Sequence, residues 1–134
     1  MKKLNIGISM RESNALGYSE KRDSIARDWY KYMKEVMPNS NWILLPNIEK
    51  DIYQYIDNWN LNAFILTGGE DYGISKERDN TEKLIFDYSQ KNSLPILGIC
   101  RGFQSIYKWL GGDFEKKGKK FSSFHASTRH QIVI

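Results

Sequence analysis

Cysteine is nearly absent from this sequence: its 134 residues hold one, Cys100, alongside two histidines and three prolines. A single cysteine closes no internal disulfide, and a reducing compartment keeps it a thiol. The histidines, His125 and His130, stand five apart in a stretch read as extended, where an odd spacing sends side chains to opposite faces. With no zinc-like spacing elsewhere, neither a metal site nor a cofactor is expected. Long apolar runs are missing too. Met1-Lys2-Lys3 has the charge of a secretion signal, but Leu4 to Met10 is short and broken by Asn5, Gly7 and Ser9. No stretch approaches the roughly 18 to 20 apolar residues of a membrane span. The expected location is the cytoplasm, with no membrane partner. There is no phosphate loop of the Gly-x-x-x-x-Gly-Lys kind, no internal repeat and no low-complexity segment.

What is present suffices for one core: 40% of residues are hydrophobic and 13% aromatic, so residues 1–134 are expected to form a single domain. The net charge of +4 includes Lys116, Lys117, Lys119 and Lys120 around Gly118. Such a run could meet phosphates, but it reads better as a solvated turn between two strands. No nucleic-acid partner is expected.

Along the chain, Leu4–Ser9 reads as a first strand. Lys21–Met37 carries Ile25, Ala26, Trp29, Met33, Val36 and Met37 at spacings of three and four, which predicts an amphipathic helix stopped by Pro38. Trp42–Leu45 predicts a strand, Ile48 to Trp59 a helix, and Ala63–Thr67 a third strand ending in Gly68-Gly69. Asp79-Asn80-Thr81-Glu82 reads as an acidic capping box, opening a helix with Leu84, Ile85 and Tyr88 inside. Ile96–Ile99 predicts a fourth strand. A helix follows from Arg101 to Leu110, with Phe103, Ile106 and Leu110 buried, and Gly111-Gly112 ends it. Phe121–Ile134 reads as extended. Alternating strands and helices predict an α/β fold: a doubly wound, mostly parallel sheet with helices on both faces. In such sheets ligands sit beyond the carboxyl ends of the strands. That directs attention to three segments: Met10–Gly17, Gly68–Asp79 and the turn at Cys100.

Gly98-Ile99-Cys100-Arg101-Gly102 has the Gly-x-nucleophile-x-Gly spacing of a nucleophile elbow, whose small flanking residues permit a sharp, side-chain-exposing turn. A sulfur at the first turn of a helix also meets unpaired N–H groups and the positive end of the helix dipole, both of which favour thiolate. The plainer alternative is a small buried hydrophobe, which free cysteine usually is. A thiolate that attacks a carbonyl creates an oxyanion, and that needs two N–H donors. The Arg101 amide can be one and the Gly69 amide the other; alternatively, Gly68-Gly69 merely turns the chain.

These residues resemble a known family. Gly98-Ile-Cys-Arg-Gly-x-Gln104, followed by Gly111-Gly112, is similar to the nucleophile segment of class I glutamine amidotransferases, and Leu66-Thr-Gly-Gly-Glu-Asp71 to their oxyanion loop. Arg78-Asp79-x-x-Glu82 and Ile6-Gly-Ile-Ser-x-Arg11 bring the chain closer to the branch of γ-glutamyl-γ-aminobutyrate hydrolases. The resemblance implies a flavodoxin-like core and a cysteine-dependent hydrolysis of a γ-glutamyl amide through a thioester. It makes Cys100 the nucleophile, and the Gly69 and Arg101 amides the oxyanion donors. Gln104 and Gly68 would hold the glutamyl group. Arg11 and Glu70-Asp71 would contact the released part. The helix expected over Glu20–Trp29, with Arg22-Asp23 and Asp28-Trp29, resembles members acting on γ-glutamyl nucleotide conjugates in capsule phosphoramidate synthesis.

The family takes its base from a His-x-Glu segment downstream of the cysteine, whereas His125 precedes Ala126-Ser127 and His130 precedes Gln131-Ile132. Neither histidine is expected to be the base. By this resemblance the sequence corresponds to the amino-terminal two-thirds of an enzyme, inactive by itself, with a sheet edge open to self-association or to a completing polypeptide. A competing reading is a non-catalytic glutamyl-binding partner or regulatory module without the triad. Another is a thiol protein of a related fold with redox or aldehyde chemistry.

Overall fold

Apolar side chains alternate along the strands, and the alternation assigns each to one side of a sheet. A computed structural model describes residues 3–113. The elements run β1 (Asn5–Ser9), β2 (Arg11–Asn14), β3 (Lys21–Ser24), α1 (Asp28–Val36), β4 (Asn41–Leu45), α2 (Ile52–Asn58), β5 (Ala63–Leu66), α3 (Lys76–Lys91), β6 (Ile96–Gly98) and α4 (Arg101–Trp109). A parallel sheet has the order β4-β1-β5-β6, and β2 and β3 form a separate antiparallel ribbon. With that ribbon set aside, the strands lie in the order second, first, third, fourth. This is the flavodoxin-like arrangement, as expected for a doubly wound α/β fold.

In β5, Ala63 and Ile65 turn to one side, where they join Ile6 and Ile8 of β1 and Met33 of α1. Phe64 and Leu66 turn to the other and meet Ile52 and Ile56 of α2 and Ile85 of α3. All of these are buried, and each of them but Ala63 contributes roughly 1.5–3 kcal/mol over its exposed state. Apolar layers on both faces thus fix the strands whose carboxyl ends carry the site.

Three expectations are corrected. First, the helix predicted over Lys21–Met37 begins only at Asp28, and Lys21–Ser24 is a strand paired with Arg11–Asn14. Charged side chains anchor it: Lys21 donates to Glu77 at 3.0 Å, and Asp23 accepts from the Asn47 side chain at 2.7 Å. Such anchoring at every second residue is invisible to a search for apolar period. The resemblance drawn from a helix over Glu20–Trp29 therefore had the wrong structural basis. Val36, counted on the buried face, is exposed.

Second, α3 starts three residues before Asp79. Its cap is Ser75, whose Oγ accepts from the Arg78 N–H at 3.3 Å. Third, Phe103 and Leu110 of α4 are exposed, and Ile106 is half-buried. Arg101, Gly102 and Ser105 make the buried side, because the helix starts hard against β5 where an apolar side chain has no room. Gly111, with φ +87°, ends α4 as expected. The lysine cluster 116–120, both histidines and the stretch 121–134 expected to be extended lie outside the described residues. No helix of the described residues is long and apolar enough to cross a membrane.

Candidate active site

The segments after β1, β5 and β6 meet at the carboxyl edge of the sheet. Cys100 forms the apex of the turn from β6 into α4, exposed, with φ +55° and ψ −111°. A non-glycine residue in that region costs on the order of 1–3 kcal/mol and persists only where its surroundings impose it. Here they do. The Ile99 N–H donates to the Leu66 carbonyl at 2.9 Å, the Gly102 N–H to Ile99 at 3.0 Å, and the Gln104 N–H to Cys100 at 3.1 Å. A methyl group on Gly98 would stand 2.6 Å from the Gly102 carbonyl carbon, and one on Gly102 would collide with the Leu66 carbonyl. The two glycines exist because strand and helix cross at backbone contact.

Gly68 faces this turn: a Cβ there would be 3.4 Å from that of Cys100 and 3.8 Å from its sulfur. Gly69 follows with φ +140°, and its α-carbon packs so closely on Arg11 that a Cβ would lie 2.9 Å from the Arg11 Cβ. The structure thus brings together Cys100 from the turn after β6, Gly68 and Gly69 from the loop after β5, and Arg11 from the start of β2. Arg11 is exposed, and its guanidinium has no partner among the described residues. Gln104 is exposed one turn along α4. The N–H groups of Gly69 and Arg101 carry no hydrogen bond among the described residues, which leaves both available to an acceptor. Glu70, half-buried on the loop after Gly69, pairs one carboxylate oxygen with Arg78 at 2.9 Å.

The family model that matches is Peptidase C26, over residues 5–133. The chain belongs to this class I glutamine amidotransferase-like family. The gamma-glutamyl-CDP-amidate hydrolase of Campylobacter jejuni is 35% identical over 109 residues, covering 75% of this chain and 52% of that protein. The glutamine-hydrolysing GMP synthases of Petrotoga mobilis and Ehrlichia ruminantium are 41% identical over 73 residues and 34% over 74. These alignments cover 51% and 53% of this chain and 13% of each relative. The chain spans about half the length of the Campylobacter relative and less of the others.

Under the surface of this Peptidase C26 site lies a set of buried charges. Arg78, fully buried, donates through Nε to Glu82 (2.9 Å), through Nη1 to Glu70 (2.9 Å), and through Nη2 to the carbonyls of Thr67 and Gly68 (3.0 Å each). Arg101 turns its guanidinium inward, onto Glu82 and Asp79, and the second oxygen of Asp79 accepts from the Gly73 N–H at 2.8 Å. Ser9, at the end of β1, donates to Glu82 at 2.7 Å and accepts from the Thr67 N–H at 3.0 Å. Burial of Glu70 works against its ionisation, but its own backbone N–H and the Arg78 guanidinium outweigh that and hold its carboxyl below the ordinary range. Buried ions cost several kcal/mol each in desolvation, so such a cluster persists by matching each charge with a partner.

A capping-box reading of Asp79-Asn80-Thr81-Glu82 does not reveal this cluster. A capping box and an ion pair four residues apart use the same residue types. The signal was the spacing of Arg78 and Glu82, which places them on one helix face.

Proposed function

We propose that the protein hydrolyses a γ-glutamyl amide, with Cys100 as nucleophile. The thiolate attacks the γ-carbonyl, and the oxyanion is held by the N–H groups of Gly69 and Arg101. The C–N bond then breaks, and the released amine takes up a proton. Water cleaves the resulting thioester, freeing glutamate and the thiol. Gln104 and Gly68 contact the glutamyl portion. The observation that carries this reading is the left-handed Cys100 at the elbow, exposed and directly opposite Gly68. Family membership supports the class of reaction. Residues 3–113 contain no histidine, so in this reading the group that accepts the thiol proton comes from elsewhere in the protein.

For the released group we infer a nucleotide-like anion, the substrate class expected for capsule phosphoramidate synthesis. The unpaired Arg11 beside Gly69 supports it, as does the Campylobacter relative, named a gamma-glutamyl-CDP-amidate hydrolase.

The test is covalent. The full protein is treated with a glutamine-like electrophile, such as a diazoketone analogue, and the adduct is mapped by peptide mass spectrometry. A single adduct on Cys100, formed in step with the loss of turnover, is the expected result. Labelling that persists in Cys100→Ser removes this mechanism.

A further inference from the structure

Beside the direct bonds between strand ends, a second set of hydrogen bonds links the three site segments through α3, and three of them converge on one carboxylate. Glu82 is fully buried. One of its oxygens accepts from Arg78 Nε (2.9 Å) and Ser9 Oγ (2.7 Å), and the other from Arg101 Nη1. The three donors serve three different loops. Ser9 ends β1 and holds the Thr67 N–H. Arg78 holds the Gly68 carbonyl, and Arg101 is the residue after Cys100.

The bond from Arg78 to Gly68 has a stereochemical consequence. The Gly68 carbonyl and the Gly69 N–H belong to one peptide unit, which is planar and trans, so they point in opposite directions. Holding the carbonyl inward on a buried guanidinium directs the Gly69 N–H outward. With glycine on both sides, little else restrains that peptide from turning over. Turned over, it would present a carbonyl oxygen where an oxyanion needs a donor.

We propose that Glu82 is a positioning residue that couples the two halves of the oxyanion site. Through Arg78 it keeps the Gly68–Gly69 peptide in its donor orientation, and through Arg101 it fixes the first turn of α4 that carries the other donor. This rests on the reading of the Gly69 and Arg101 amides as oxyanion donors. Glu82 reaches no exposed surface and so acts only through its partners. The fork matters, since Arg101 meets Glu82 and Asp79 through two separate nitrogens in a fixed plane, a geometry that the single ammonium of a lysine does not reproduce.

Two variants of the full chain test the coupling. Glu82→Gln keeps an acceptor for Arg78 but sets an amide N–H₂ against Arg101. Arg101→Lys leaves the Arg78 bonds to Gly68 and Glu82 in place and changes the elbow side, where the Arg101 hydrogen bonds go to Asp79 and Glu82 and its guanidinium lies over Tyr72. Nitrogen-15 relaxation dispersion at the Gly69 and Arg101 amides is the direct readout. Both amides are expected to be quiet in the unaltered protein. In each variant both should gain millisecond exchange at one shared rate, while amides of β4 stay unchanged. In the turnover assay, kcat is expected to fall about 100-fold with KM within about twofold, the pattern of a lost transition-state donor.

Alkylation of Cys100 by iodoacetamide forms no oxyanion and should stay within about threefold of the unaltered rate. An Arg101→Lys protein in which Gly69 stays quiet overturns the proposal, as does exchange spread over the whole sheet. Should Glu82→Gln not fold, Arg101→Lys carries the test alone. Failure of the nucleophile reading appears separately, as an unaltered protein that takes no Cys100 adduct from the diazoketone, and the dispersion result still decides the coupling.

Discussion

Gly102 leans on Leu66 so closely that a methyl group on its α-carbon would stand 2.6 Å from the Leu66 carbonyl carbon and 2.8 Å from the Leu66 Cβ. The first turn of α4 is therefore in backbone contact with the end of β5, and the Cys100 turn has nowhere to relax. Gly102→Ala is expected to cost about 1–3 kcal/mol, the usual range for overpacking a tight site. Urea titration measures that loss. Labelling of Cys100 by the glutamine-like electrophile should fall at least about tenfold in parallel. A Gly102→Ala protein of unchanged midpoint and labelling would mean that the contact yields freely.

The left-handed Cys100 sets stability against chemistry. Glycine adopts φ +55° without strain, so Cys100→Gly should be more stable than Cys100→Ala by about 1 kcal/mol, although both lose all turnover. Thermal unfolding of the two variants side by side decides it, and equal midpoints would remove strain from the account of this turn.

Glu70 predicts a pH dependence. Its folded-state carboxyl titrates below the ordinary value of 4.5, so the stability it contributes is fully present above 4.5 and is lost as pH falls through the depressed folded value. Glu70→Gln should therefore be less stable than the parent by a constant amount at neutral pH. The difference should shrink only in acid, below 4.5. Chemical denaturation at a series of pH values checks the sign, and a gap that widens on acidification would contradict it.

Arg11 is expected to select the released group. Charge-assisted hydrogen bonds contribute about 1.5–3 kcal/mol, so Arg11→Met should lower kcat/KM for a γ-glutamyl nucleotide conjugate by roughly 10- to 100-fold. Glutamine, whose leaving group is neutral ammonia, should be affected less than about twofold. Equal losses on both substrates would place Arg11 in the support of the Gly69 loop rather than in leaving-group recognition.

Much of this arrangement was legible beforehand because it rests on local rules. The parallel strands follow from short apolar runs bounded by glycine and proline. The elbow follows from Gly98 and Gly102 flanking Cys100, a spacing that strand-to-helix contact requires. The β2–β3 ribbon was not legible, since Lys21 and Asp23 hold it through partners at Glu77 and Asn47, distant in sequence and apolar in neither case. The buried side of α4 was misjudged for a related reason. Apolar period favours Phe103 and Leu110, but the close approach to β5 admits only Gly102, Ser105 and an inward-turned Arg101.

The sequence by itself determined the order of the parallel strands and the helices between them, and the position of the one thiol at a strand-to-helix turn, because periodicity and glycine placement act over a few residues. Tertiary structure alone decided that Arg78, Glu82 and Arg101 would be buried together, and that their charges would face one another rather than the thiol. Ion pairs form between groups that folding brings within a few ångströms. No pattern along the chain specifies which carboxylate, of 16 acidic residues, will lie between two guanidinium groups.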